Sequence, residues 1–194
     1  VNDDVTFDFL YNVLKERKTG PWHTAFLTLS SHEPFEVPYH RLNENIPNAF
    51  AFTDDCLGKF IDRMKQLPQW KDLLIICLPD HGFYYPREGF AQSPRIHHIP
   101  MLWLGGAVKQ PMVVDKLMNQ TDLVATLLGQ LGMEHQEFNF SRNVLGKEYT
   151  YPFAYYTYNN GVAFIDSTGV TVLDNNSGQT VMDEPVPSER RLKL

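Results

Sequence analysis

The run Leu73-Leu74-Ile75-Ile76-Cys77-Leu78 is almost wholly apolar, and it constrains the fold more than any other stretch of the chain. A strand with one wet face alternates apolar and polar residues; this one does not, so it is expected to be a central strand covered on both faces. Covering it requires helices, and the flanking sequence supplies them. From Thr6 to Lys18, Phe7, Leu10, Tyr11 and Leu14 recur at i, i+3, i+4, i+7, the pattern of an amphipathic helix stopped by Thr19-Gly20-Pro21. Asn48 is the expected N-cap of a second helix reaching about Gln66, with Phe52, Cys56, Phe60 and Met64 spaced by four and Asp54 and Asp55 in its early turns. Pro68 closes it.

Two further strands are expected. Ala25 to Leu29 reads as a buried strand stopping at Ser30-Ser31-His32, and Pro100 to Leu104 as a strand ended by Gly105-Gly106. Thr121 is the expected cap of a helix carrying Leu123, Leu127, Leu128 and Leu131 on its inner face, ended by Gly132. The order helix, strand, helix, strand, strand, helix predicts an α/β domain over residues 1–150, a layered sheet with flanking helices. Beyond Tyr151 the pattern changes. Phe153 to Tyr158, Gly161 to Asp166 and Val170 to Asp174 are short strands separated by Asn159-Asn160-Gly161 and Ser167-Thr168-Gly169. These hairpin signals predict a small antiparallel meander over 151–194, with a fraying tail from Asp183.

A formal net charge of −6 argues against broad nucleic-acid binding, which needs a basic face. It does not exclude an anionic substrate, because a bound divalent cation reverses the local field. No apolar run approaches the length of a spanning helix, and Val1-Asn2-Asp3-Asp4 does not read as a leader. Cys56 and Cys77 are expected to be buried free thiols.

The sharpest chemical feature is Pro79-Asp80-His81-Gly82, directly after the apolar run. Ligands of open α/β sheets bind just beyond the carboxyl ends of the strands. A carboxylate and an imidazole side by side there can turn toward one metal ion; the same triplet also fits a turn capped by Asp80 beside a plain loop histidine. Two donors are fewer than the three or four protein ligands a zinc site takes. His32 follows another expected strand end, and either His97 or His98 can reach inward, since neighbours in extended chain point opposite ways. Both also fit as polar loop residues. Asp122 reads as a first-turn helix carboxylate, the aromatics of 153–158 as a packed face, and His23, His40 and His135 carry no motif.

Taken in order, five segments resemble the sulfatase and phosphoglycerol-transferase branch of the alkaline phosphatase superfamily: Phe26-Leu27-Thr28-Leu29-Ser30-Ser31-His32-Glu33-Pro34-Phe35, Leu57-Gly58-Lys59-Phe60, Pro79-Asp80-His81-Gly82, His98-Ile99-Pro100-Met101 and Gln120-Thr121-Asp122-Leu123-Val124-Ala125-Thr126-Leu127-Leu128. These segments resemble those of lipoteichoic acid synthase-like proteins and, beside them, of phosphoethanolamine transferases. The resemblance runs from about Asp3 to Gly146, and the meander is similar to the small C-terminal sheet of such enzymes.

The resemblance implies an α/β domain holding one or two divalent cations, manganese or zinc. It makes Asp80 and His81 metal ligands, His32 a contact to the phosphate or sulfate of an ester substrate, and His98 a second phosphate contact or a metal contact. It also implies a metal-activated Thr, Ser or formylglycine and another acidic ligand on upstream strands, and no segment here matches those. The expectation is therefore the C-terminal part of a phosphoryl- or sulfuryl-transfer enzyme, inactive alone, whose upstream part is membrane-anchored and holds this domain outside the cytoplasm. Two other readings are a non-catalytic module for anionic glycans or lipid headgroups, and an interaction domain in which Asp80 and His81 are structural.

Overall fold

The computed structural model describes residues 1–17, 20–86 and 90–185. Its chain forms two compact units. The first comprises Val1–Cys77 and Leu102–Pro111; the second comprises Leu78–Met101 and the described residues from Met112 onward.

In the first unit, helix α1 (Asp3–Lys15) and helix α2 (Asn45–Met64) pack along the predicted apolar stripes. Phe7, Leu10 and Leu14 meet Phe52, Cys56, Phe60 and Met64 in the core, with ring centroids of Phe7 and Phe60 5.3 Å apart. Burial of each large side chain there is worth about 1.5–3 kcal/mol. α1 lies three residues earlier than expected, starting at Asp3 and ending at Lys15 with Glu16 as its C-cap rather than reaching Lys18; Lys18 and Thr19 themselves lie outside the described residues. α2 starts about a turn earlier than expected, with Glu44 as its N-cap and Pro47 in its first turn, where a missing N–H costs nothing. Asn48 is therefore inside the helix and is not its cap. Its buried amide accepts from the Arg41 and Leu42 N–H groups and donates to the Leu42 and Glu44 carbonyls, lashing the incoming loop to the helix. Asp54 and Asp55 are consequently mid-helix, and Asp55 pairs with Lys59 one turn on at 2.6 Å.

Residues 25–29 depart from expectation. The segment forms no ladder with any described strand, and Leu27 and Leu29 are 82% and 60% exposed. Phe26 alone is partly covered, packing on Phe7 at 4.9 Å, while Ala25, Leu27, Thr28 and Leu29 are exposed. Strand β1 (Ile75–Cys77) is the heart of the apolar run; it is half-buried and pairs antiparallel with β2 (Leu102–Leu104), Ile76 opposite Trp103. β2 ends where expected. Gly105 has φ +118°, and a Cβ there would lie 2.2 Å from the Leu73 carbonyl oxygen, so the turn admits only glycine. Both cysteines are free thiols, Cys56 buried and Cys77 half-buried.

The second unit begins with a short helix, α3 (Pro94–His97), and continues through a 3-10 turn (Gln120–Asp122) into α4 (Leu123–Gln130). Asn119 rather than Thr121 precedes the helical turn, its N–H donating to Asp122 Oδ2 at 2.8 Å. The inner face of α4 is more polar than its leucines suggest. Ala125 and Thr126 are its buried residues and Asp122 its buried N-cap, whereas Leu131 at its C-cap is exposed. Thr126 Oγ1 accepts from the Val144 N–H and Ser141 Oγ from the Ala125 N–H, so a following loop hydrogen-bonds onto that face.

The meander is a four-stranded antiparallel sheet in sequence order: β3 (Phe153–Tyr158), β4 (Gly161–Asp166), β5 (Gly169–Asp174) and β6 (Gln179–Pro185). β6 was not expected, and it carries Asp183 to Pro185 into the sheet; residues 186–194 of the expected fraying tail lie outside the described residues. At the β4–β5 turn, Asp166 accepts from the Thr168 hydroxyl and N–H and from the Tyr151 hydroxyl, bonds that hold its carboxyl down at about 2. The sheet is tied to chain before residue 150. The Asn119 amide exchanges hydrogen bonds with backbone Tyr155, and Arg142 Nη2 donates to the Phe153 carbonyl at 2.9 Å.

Candidate functional site

β1 runs out at Cys77, and the loop Leu78-Pro79 delivers Asp80 and His81 into the open, their side chains 87% and 72% exposed. The backbone fixes how the pair is presented. His81 Nδ1 lies 2.7 Å from the Gly82 carbonyl oxygen. A carbonyl only accepts, so Nδ1 is the donor there, and in the neutral imidazole the lone pair lies on Nε2. Nε2 lies 3.8 Å from Asp80 Oδ1, which also accepts from the His81 N–H at 3.1 Å. A neutral imidazole nitrogen and a carboxylate oxygen that close can share one divalent cation, with the carbonyl bond serving as the outer support such ligands normally have. Among the described residues no group of three or more His, Cys, Asp or Glu side chains is placed to hold a metal ion. The pair therefore fits part of a metal site, with coordination positions left for water, substrate or other ligands.

Two neighbours hold this loop, and neither is evident from the motif. Gln120 Nε2 donates to the Pro79 and Asp80 carbonyls at 2.7 and 3.1 Å, clamping the backbone immediately before His81. Gln120 belongs to the turn that opens α4, and that turn is anchored by Asp122. Asp122 is wholly buried; its Oδ1 accepts from Arg142 Nε at 3.0 Å and its Oδ2 from Arg142 Nη2 at 2.5 Å. Asp122 is the first-turn carboxylate expected, and it is also half of a buried ion pair with Arg142.

Gly82 is the second neighbour. A Cβ at this position would sit 1.8 Å from the Ile96 carbonyl oxygen and 3.1 Å from His97 Cα. The glycine lets the Asp80–His81 loop lie directly on the end of α3. Gly82→Ala must push the loop off that helix and is expected to weaken divalent-metal binding by about 10–100-fold, the usual cost of disturbing a ligand's support. Calorimetric titration with manganese measures it; an unchanged affinity would show that the loop is placed otherwise.

The two histidines after the loop are not equivalent. His97 ends α3, stacks on Tyr156 with centroids 3.9 Å apart and rings 14° from parallel, and places Nε2 2.9 Å from the Ala91 carbonyl oxygen. With His81 it lines a groove of about 580 Å3 that also involves Tyr84, Tyr158, Asn159, Asn160 and Asp174. His98 is exposed at the C-cap of α3 and does not line that groove.

His32 belongs to the first unit, on a tight turn in which its N–H donates to the Leu29 carbonyl and the Phe35 N–H donates to its own. It is exposed, and its Nδ1 lies 3.0 Å from the Glu33 carbonyl oxygen, so Nε2 is again the nitrogen left free to act. The turn is pinned from below by a residue with no motif around it. Asp3 is wholly buried; its Oδ1 accepts from the Leu29 and Ser30 N–H groups at 2.9 and 3.3 Å, its Oδ2 from the Thr53 hydroxyl at 2.7 Å, and its own N–H donates to Ser30 Oγ.

Comparison with known proteins places the chain in a family. A lipoteichoic acid synthase-like protein of Bacillus subtilis, YvgJ, is 24% identical over 213 aligned positions, covering 88% of this chain but 34% of its own length. A solved structure of an alkaline phosphatase superfamily protein from Vibrio parahaemolyticus superposes over the whole chain with a TM-score of 0.75 at 21% identity; the chain covers 51% of it. The chain thus spans a third of that curated relative and half of that structure, and shares the α/β fold of the superfamily. The sulfatase family model matches residues 1–133, well over half of the chain and including the Asp80–His81 loop and Gln120, and so the chain belongs to the sulfatase family.

Proposed function

We propose that this chain is the C-terminal part of a metal-dependent phosphoryl- or sulfuryl-transfer enzyme, with Asp80 and His81 supplying two ligands to a divalent cation, manganese or zinc. The observation that carries the reading is the His81 Nδ1 contact with the Gly82 carbonyl, which turns Nε2 toward a carboxylate oxygen 3.8 Å away just past the end of β1. A cation bound there supplies Lewis acidity, neutralising charge on the transferring group and lowering the pKa of a hydroxyl nucleophile. His32, with its free Nε2, hydrogen-bonds a phosphate or sulfate oxygen of the ester, and the exposed His98 makes a second such contact. Membership of the sulfatase family and similarity to a lipoteichoic acid synthase-like protein support an ester substrate.

The chain covers a third of that relative, in keeping with a nucleophile and a further acidic ligand supplied by sequence outside it. On this reading the complete enzyme is membrane-anchored, with this domain outside the cytoplasm and a lipid headgroup or glycan ester as substrate. In the described residues no helix is long and apolar enough to cross a membrane.

The test is turnover of a chromogenic phosphate or sulfate ester by a protein that joins this chain to its upstream part. Activity should require manganese or zinc and fall by at least about a hundredfold in His81→Ala, since a catalytic ion contributes several kcal/mol to the transition state. Chain 1–194 alone should show no turnover. Full activity of His81→Ala would refute the assignment.

A further inference from the structure

The Asp80–His81 pair has no packing of its own, since both side chains are exposed. Its place is therefore set through the backbone on either side. On one side Gln120 binds the Pro79 and Asp80 carbonyls; on the other Gly82 lies on the end of α3. Neither support stands alone. α3 is four residues long, and a single helical turn does not hold itself together in water. Tyr156 holds it. The phenol ring stacks on His97 at one end of the 91–97 segment, and its hydroxyl donates to the Gln92 carbonyl near the other. Burial pushes the pKa of that hydroxyl up to about 12, so it remains a donor at any ordinary pH. The second support traces to the same strand. Asn119, next to Gln120, donates to the Tyr155 carbonyl at 2.6 Å and accepts from the Tyr155 N–H at 3.2 Å.

We propose that Tyr156 is a positioning residue for the Asp80–His81 pair, and that β3 is the element from which both supports of the loop are hung. The proposal rests on the function proposed above only for the cation that the pair holds. Two consecutive residues of β3 reach the loop by separate routes: Tyr155 through Asn119 and Gln120 to residues 79–80, Tyr156 through α3 to Gly82. The first route uses the backbone of the strand and the second a side chain, so one strand serves both without competition. A metal site tolerates only about 0.2 Å in its ligand distances. A loop ordered in advance also spares the cation the entropic cost of ordering it. The meander thereby acts on the metal ligands without touching the ion.

Backbone order parameters of metal-free chain 1–194 test this, followed by calorimetric titration with manganese. In wild type Asp80, His81 and Gly82 should lie in the rigid range, about 0.85. Tyr156→Leu should bring them below about 0.6 and weaken manganese binding by about 10–100-fold. Tyr156→Phe keeps the stack, loses only the hydroxyl and should fall between; it carries the test if Tyr156→Leu does not fold. Asn119→Ala cuts the other route and should also loosen the loop. Val172→Ala is the control: it opens the buried core of the same sheet, and should lower stability to urea without moving either readout. The proposal is overturned by a mobile loop in wild type, by unchanged order in the Tyr156 variants or in Asn119→Ala, by weaker manganese binding without loss of order, or by an equal effect of Val172→Ala. No manganese binding by wild type, with the order parameters behaving as expected, would sink the metal reading and leave the positioning role standing.

Discussion

Arg142→Ala is expected to destabilise the second unit by about 3–5 kcal/mol, the cost of stranding a buried carboxylate by removing its cation. Asp122 has no exposed surface, and Arg142 meets it with two side-chain nitrogens at 3.0 and 2.5 Å and its own N–H at 2.8 Å. The guanidinium also covers the Phe153 ring, 3.7 Å from its centroid, and bonds the Phe153 carbonyl. One residue thus joins the start of α4 to β3, and the same start of α4 carries Gln120 to the Asp80 loop. Urea unfolding measures the loss. The Asp122→Ala/Arg142→Ala pair should cost clearly less than the sum of the single variants, because neither is left with an orphaned charge. Additive losses would mean that packing on Phe153, not the ion pair, is what the arginine contributes. Metal affinity should fall along with stability in Arg142→Ala, since the Gln120 clamp loses its footing.

In the first unit the largest effect is expected from Asp3→Ala, about 2–4 kcal/mol. The substitution leaves the Leu29 and Ser30 N–H groups and the Thr53 hydroxyl without their acceptor, and an unsatisfied buried polar group costs about 1–3 kcal/mol. Not all of that is felt, because Leu29 is itself exposed and water can reach its N–H. Asp3→Asn retains one acceptor oxygen and should lose about half as much. Hydrogen exchange gives the more specific readout: amides of residues 29–35 should lose protection in Asp3→Ala before those of α2 do. Uniform loss across the unit would show that Asp3 supports α1 rather than the His32 turn.

Much of the fold was legible because its signals are local. The stripes of α1 and α2 repeat every three to four residues, and the alternation and turn residues of the meander mark the bounds of β3 and β4 to the residue. β6 escaped because Gln179–Pro185 has no apolar alternation; it is a strand by virtue of its pairing with β5. Residues 25–29 misled for the reverse reason, having strand composition but no partner strand among the described residues. In the site, Asp80-His81-Gly82 was readable as adjacent residues with complementary chemistry. Gln120 and Asp3 were not, because the groups they bind lie about 40 and 26 residues away along the chain. His97 shares the groove because a turn of helix, not extended chain, precedes it, and that turn sits against Gly82.

The central claim is that Asp80 and His81 together hold a divalent cation, and calorimetric titration of chain 1–194 with manganese and with zinc tests it directly. The account predicts saturable one-site binding that the Asp80→Ala/His81→Ala variant loses while keeping its unfolding transition, since both side chains are exposed and carry no packing. Equal binding by the variant, or none by either protein, would contradict it.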